Sequence, residues 1–141
     1  MKELRAECIA RLQQAGLRPS EPRIAVLAFL MKNRIHPVAE TIYQSLAPDY
    51  PTLSRTTIYN TLKLFEQNKI VMSLTIEDGE LRYDINTSLH GHFKCRHCHS
   101  VTDIFIDGLD TKIPLPQNDC KVESIHLDFF GLCGKCRTEN E

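Results

Sequence analysis

Two Cys-x-x-Cys pairs, Cys95 with Cys98 and Cys133 with Cys136, constrain the fold of this chain more than any other feature of its sequence. The spacing is that of a zinc knuckle, and four thiolates close a tetrahedron around one ion. A closed site has no open coordination position, so its expected role is to staple together two segments far apart in the chain. The N-terminal stretch Met1-Lys2-Glu3-Leu4-Arg5 lacks a secretory apolar region, and no apolar run approaches the ~20 residues of a membrane span. The chain is therefore expected in the cytoplasm with no membrane partner. In that reducing compartment six cysteines read better as metal ligands than as disulfides. Cys8 and Cys120, outside the pairs, read as small buried apolar residues.

A second donor group leads into the first knuckle. Residues i and i+2 of a strand face the same side, so His90 and His92 can chelate one ion. If the chain reverses near residue 97, position 92 falls opposite a position near 103, which brings Asp103 beside His92. Two imidazoles and a carboxylate are a harder set than four thiolates and suit Fe(II), Mn(II) or Zn(II). The expectation is two metal sites of different character, one structural and one that exchanges. His97 and His99 read as exposed residues that are not ligands.

The N-terminal half carries a helical pattern. Leu4, Cys8, Leu12 and Ala15 recur at helical spacing over residues 2–15, with Gly16 as the stop. Ser20 is the expected cap of a second helix with Pro22 and Arg23 in its first turn. His36-Pro37 opens a third over Val38 to Leu46, and Ser54 caps a fourth running to about Asn68. In the fourth, Ile58, Leu62 and Phe65 form a buried face, while Arg55, Thr56, Tyr59, Asn60 and Lys63 form the other. A merely solvated face is usually Glu and Lys. This one can donate to phosphates, hydrogen-bond bases and press on thymine methyl groups.

Two β-rich runs, 70–76 and 80–85, follow, joined through Asp78-Gly79, a hairpin signal. Helix, turn, recognition helix and hairpin make a winged helix-turn-helix. Residues 1–76 hold ten Lys or Arg against six Asp or Glu, whereas 77–141 hold seven against twelve, a bias compatible with DNA facing the first half. The expected architecture is α+β: a winged-helix domain over 1–85, a hinge at 86–89 and a small α/β dimerisation and metal-binding domain over 90–141. In the latter, strands at 90–95, 101–106 and 121–130 form a three-stranded sheet, and Pro114 and Pro116 forbid a long helix between the last two. So small a sheet needs the zinc and a second subunit along its edge.

The stretches Gly16-Leu17-Arg18 with Pro22-Arg23, His36-Pro37-Val38-Ala39-Glu40-Thr41-Ile42-Tyr43, Ser54 through Leu62, and His90-x-His92-x-x-Cys95-x-x-Cys98 with Gly131-x-Cys133-x-x-Cys136 resemble the ferric uptake regulator (Fur) family, in the same order along nearly the whole chain. The resemblance implies a homodimeric, metal-dependent repressor of palindromic double-stranded operators, and not an enzyme. It adds Arg18 and Arg23 to the DNA-contacting set. It also adds His36 and Asp84 to the regulatory ligands His90, His92 and Asp103. Asp at 84 and 103, where iron sensors more often carry Glu, and Asn60 after Tyr59 are similar to the peroxide-responsive (PerR-like) branch. That branch implies Fe(II) or Mn(II) in the regulatory site, with Zn(II) able to fill it in vitro, and peroxide oxidising His36 or His90. His126 stands one residue out of step with a histidine that many members carry, and a one-residue shift turns a strand side chain to the other face.

Three other readings stand beside this one. An iron-responsive repressor differs only in its signal. A metallo-hydrolase with a catalytic zinc on His90, His92 and Asp103 explains the His-x-His equally well but leaves the recognition helix idle and lacks a separate acid or base. A structural zinc-ribbon adaptor leaves His36 and Asp84 without a task.

Overall fold

The computed structural model describes residues 2–77, 79–114, 116 and 119–140. Backbone contacts group the chain into two compact units, Met1–Thr87 and Ser88–Glu141.

In the first unit, α1 (Lys2–Gln14) buries Cys8 and Leu12. It ends in a Schellman turn: Gly16, at φ +77°, donates to Gln13 at 3.0 Å, and Leu17 donates to Leu12 at 2.8 Å. The second helix, α2 (Glu21–Lys32), buries Ile24, Ala25, Val26, Leu27 and Leu30 and forms the middle of the core. Ser20 occupies its N-cap in extended conformation, but its side chain makes no capping bond. The expected start of the third helix is corrected. Helix α3 (Ala39–Leu46) has Val38 as its extended N-cap, and Pro37 lies outside it. The Pro37 carbonyl instead accepts the Tyr83 amide at 2.9 Å and Val38 bridges Arg82, so these two residues lengthen a sheet edge.

Helix α4 (Arg55–Gln67) begins as its sequence specifies: the Ser54 hydroxyl accepts the Thr57 amide at 3.1 Å. Ile58, Thr61, Leu62 and Phe65 are buried at i, i+3, i+4 and i+7. Strands β1 (Met72–Glu77) and β2 (Glu80–Asp84) pair antiparallel from Met72 opposite Asp84 to Glu77 opposite Glu80, with a register shift between Leu74 and Glu77. Gly79, at φ +79°, supplies a left-handed residue to the turn, while Asp78 lies outside the described residues. One apolar cluster joins α1 to α4 and reaches Val71, Tyr83 and Ile85.

The second unit is a three-stranded sheet in the order β4–β3–β5, built from β3 (Gly91–Cys95), β4 (Val101–Ile104) and β5 (Asp128–Gly131). The β3–β4 pair is an antiparallel hairpin that sets His92 opposite Asp103, while β5 runs parallel to β3 with Asp128 opposite His92. The strand expected over 121–130 is shorter for that reason. In this register residues before 127 run past the start of β3 at Gly91, where no ladder partner remains. A single turn, α5 (Leu109–Lys112), precedes Pro114, and a terminal helix α6 (Gly134–Asn140), absent from the sequence reading, carries Cys136. No helix among the described residues is long and apolar enough to cross a membrane.

Candidate metal centres and nucleic-acid interface

The four paired cysteines converge. Cys95 ends β3, Cys98 lies in the turn to β4, Cys133 follows β5 and Cys136 sits in α6. Their sulfurs all lie within 4.8 Å of one another, with Cys98 and Cys133 at 3.9 Å. Zinc–thiolate bonds of ~2.3 Å at tetrahedral angles require sulfur spacings of about 3.8 Å, so the cluster fits Zn(II). Backbone amides hold the cage: Arg96 donates to the Gly131 carbonyl at 2.8 Å, and the Cys133 amide points at the Cys95 sulfur at 3.4 Å. The Cys133 and Cys98 amides draw the Cys95 thiol down to about 5, and the Ser100 hydroxyl lowers Cys98. Burial, then the neighbouring sulfurs, push Cys136 up to about 12. Four sulfurs so placed cannot all carry charge unaided, and a dication removes that conflict.

Of the remaining thiols, Cys8 is buried beside Met31, as expected, and burial raises its pKa. Cys120 is exposed, which corrects its assignment to the interior. His97, His99 and His126 are exposed as well.

The harder donors form one set in each unit. In the second, Nε2 of His90 and Nε2 of His92 each lie 3.3 Å from the same Asp103 oxygen, and the two rings are 4.5 Å apart. Both histidines are 2% exposed. Nδ1 of His90 is 2.7 Å from the Ser88 carbonyl. A carbonyl only accepts, so Nδ1 carries a proton, which leaves Nε2 as the atom that would bind an ion beside Asp103. Phe105 stacks on the outer face of His90 at 5.2 Å. In the first unit, Nε2 of His36 is 3.4 Å from Oδ2 of Asp84, and both residues are buried. Oδ1 of Asp84 accepts the Asn86 amide at 2.9 Å, which orients the carboxylate at the end of β2. His36 has φ +55° immediately before Pro37, a strained backbone of the kind found where a side chain must point one way.

The outer face of α4 presents Arg55, Thr56, Tyr59, Asn60 and Lys63 to solvent, and Tyr59 is 54% exposed. Asn60 and Lys63 line a groove of about 550 Å³ whose opposite wall is Ser20, Pro22 and Arg23. Arg23 also donates to the Arg18 carbonyl at 2.8 Å, which brings Arg18 to the same end of α2. Sequence reasoning missed several partners. Glu40, Tyr43 and Gln44 gather around Arg55, which holds the Glu40 carboxyl below its usual range. Ser88 and Phe105 flank His90. Helical spacing puts Glu40, Tyr43 and Gln44 on one face, but nothing local announces their partner fifteen residues away.

A helical unit ending in a hairpin, joined to a small sheet with one soft thiolate cluster, with hard imidazole–carboxylate sets in both, defines the class of metal-responsive DNA-binding regulators. Residues 14–130 match the profile of the ferric uptake regulator family. Over 133 residues, 93% of this chain and 90% of its relative, the sequence is 38% identical to the peroxide-responsive repressor PerR of Staphylococcus aureus strain Mu50. The fold is similar to that of the Helicobacter pylori ferric uptake regulator, with a TM-score of 0.73 at 20% identity over 99% of this chain and 95% of that one. It is also similar to PerR from Streptococcus pyogenes, with a TM-score of 0.53 at 26% identity over 94% and 92% of the two chains. The chain belongs to the ferric uptake regulator family. Membership makes it a metal-dependent transcriptional regulator and not an enzyme, which disposes of the hydrolase reading.

Proposed function

We propose that this regulator is a homodimeric repressor that grips a palindromic operator through α4 when Fe(II) or Mn(II) is bound by His36, Asp84, His90, His92 and Asp103, and that peroxide is its signal. Zn(II) stays on Cys95, Cys98, Cys133 and Cys136. The observation that carries the reading is the single Asp103 oxygen set 3.3 Å from two buried imidazole nitrogens, the harder of the two donor sets. His36 and Asp84 belong to the unit with α4, and the other three ligands to the second unit. An ion that draws ligands from both restricts the angle between them. In a dimer that angle sets the spacing of two α4 helices, and only a narrow range of spacings enters successive major grooves. Metal affinity and operator affinity are then coupled.

Fe(II), when bound, would activate peroxide, so that one of its oxygen atoms passes to an imidazole carbon and the other leaves as water. The chain's part is to offer His36 and His90 as the residues oxidised, so that loss of a ligand releases the angle. The likeness to S. aureus PerR supports peroxide as the signal. On α4, Arg55, Thr56, Tyr59, Asn60 and Lys63 would meet the duplex, with Arg18 and Arg23 on the phosphates beside the groove. Phe129 and Phe130, exposed on β5, support a partner subunit along that edge of the sheet, because β5 is an edge strand.

The test uses anaerobic, zinc-containing protein and duplexes selected from a random pool with the Mn(II)-loaded form. Fe(II) or Mn(II) should confer binding, and peroxide should abolish it for Fe(II) alone, adding one oxygen atom to a histidine. His36→Ala should bind without regard to metal, and Asp103→Glu should shift the response from peroxide toward iron supply. Operator affinity indifferent to added cation, or cysteine disulfides as the primary lesion, would refute the proposal. Release by iron chelation but not by peroxide would assign the chain to iron sensing.

A further inference from the structure

Arg55, the first residue of α4, is held along one edge and over one face of its guanidinium. Its Nε donates to Oε2 and Oε1 of Glu40 at 3.0 and 3.2 Å, and its Nη2 donates to Oε1 at 2.9 Å. The guanidinium carbon lies 4.4 Å above the centre of the Tyr43 ring. Glu40 is itself held by Gln44, one helical turn on, whose Nε2 donates to Oε1 of Glu40 at 3.2 Å. The cluster joins α3 to the start of α4, yet the Arg55 side chain remains 59% exposed.

We infer that Arg55 reads a guanine in the major groove, with Glu40 and Tyr43 as the residues that position it. The inference rests on the proposal that α4 enters that groove. A guanidinium has five N–H donors in a planar fork. Glu40 occupies the edge made by Nε and Nη2, which leaves the end-on pair of Nη1 and Nη2 donors, the pair that matches O6 and N7 of guanine. First-turn residues of a recognition helix are those that reach base edges. Charge decides between a base and a phosphate. The Glu40–Arg55 pair is neutral, and a carboxylate beside a phosphate adds like-charge repulsion, whereas a base edge carries no net charge. The rigid mount argues the same way, because a phosphate contact needs only a flexible cation while bidentate base recognition needs a plane held in one orientation.

The experiment is selection from a random duplex pool by zinc- and Mn(II)-loaded full-length protein, run in parallel for the wild type, Arg55→Ala, Arg55→Lys and Glu40→Gln. The wild type should enrich a motif with one guanine per half-site whose replacement by adenine lowers affinity roughly tenfold or more. Arg55→Ala and Arg55→Lys should make that position degenerate and keep the rest of the motif. Glu40→Gln should weaken discrimination there without loss of affinity for unselected duplex, a split that a merely structural role would not produce. If Arg55→Ala keeps the guanine and instead lowers affinity for every duplex alike, with a shallower salt dependence, Arg55 is a phosphate contact and the inference is overturned. If the wild type enriches no motif, the DNA-binding proposal itself falls and this one with it.

Discussion

Removing zinc should unfold the second unit and leave the first intact. Among the described residues, the apolar side chains buried in Ser88–Glu141 are Leu109 and two of the clustered cysteines, Cys95 and Cys136. Burying one leucine contributes about 2–3 kcal/mol. Against that, pairing β5 with β3 closes the chain from Cys95 to Gly131, about 36 residues, and the length-dependent part of that closure alone costs about 3 kcal/mol. Zinc on four thiolates supplies an apparent ~10–16 kcal/mol, comparable with the whole net stability of a small domain. The first unit owes nothing to the metal, because Leu12, Val26, Leu27, Ile42, Leu62 and Phe65 are fully buried in its own cluster. The assay is hydrogen exchange by mass spectrometry before and after chelation, with zinc loss verified by elemental analysis and Cys133→Ser as a chelator-free control. The His92 amide, bonded to the Leu127 carbonyl, and the Arg96 amide, bonded to Gly131, should lose protection by orders of magnitude. Amides from Ile58 to Phe65 should exchange as before. Zinc-free protein that still protects His92 and Arg96 would refute the reasoning, as would a first unit that opens in step with the second.

Three further outcomes follow from other parts of the chain. His36, at φ +55° before Pro37, should tolerate Gly better than Ala: both variants lose the metal response, but His36→Gly should retain about 0.5–1 kcal/mol more stability in chemical denaturation, once the greater entropy of an unfolded glycine is subtracted. The Arg55 hydrogen bond lowers the Glu40 pKa below its ordinary 4.5, so the pair's contribution is whole above pH 4.5 and is lost as pH falls through the lowered midpoint. Carboxyl NMR should show that midpoint returning toward 4.5 in Arg55→Ala, and an unchanged midpoint would deny the pair in solution. Phe130, 62% exposed on edge strand β5, should weaken self-association by roughly tenfold or more when changed to Lys, measured by sedimentation; wild-type dimerisation in that variant would place the interface elsewhere.

What the sequence made legible depended on how local the controlling physics was. The pairing of His92 with Asp103 could be read because a knuckle between two strands fixes the register by symmetry about its turn, and strand period 2 then sets the facing side chains. The burial of Ile58, Leu62 and Phe65 and the Ser54 cap were equally local, each settled within one or two helical turns. The length of β5 was not, since it depends on where a parallel partner 36 positions earlier begins. Helix α6 escaped because seven residues starting at Gly134 carry too little apolar periodicity, and the cage built on Cys133 and Cys136 holds its first turn. Pro37 illustrates a conflict between levels: its ring suits a first helical turn, but the Tyr83 amide needed an acceptor, and pairing with β2 drew Pro37 and Val38 out of α3.

The same distinction bears on function. The candidate ligands stood out because metal chemistry selects residue types, so Cys, His and Asp at fixed spacings are informative before any contact is known. The residues that aim those ligands are chosen by geometry alone. The Ser88 carbonyl that sets the His90 tautomer is a backbone atom and leaves no trace in residue type. Glu40 is one charge among many until Arg55 is found beside it. In both cases a neighbour makes a donor directional, so substitutions at Glu40 or around Ser88 should alter selectivity and response before they alter stability.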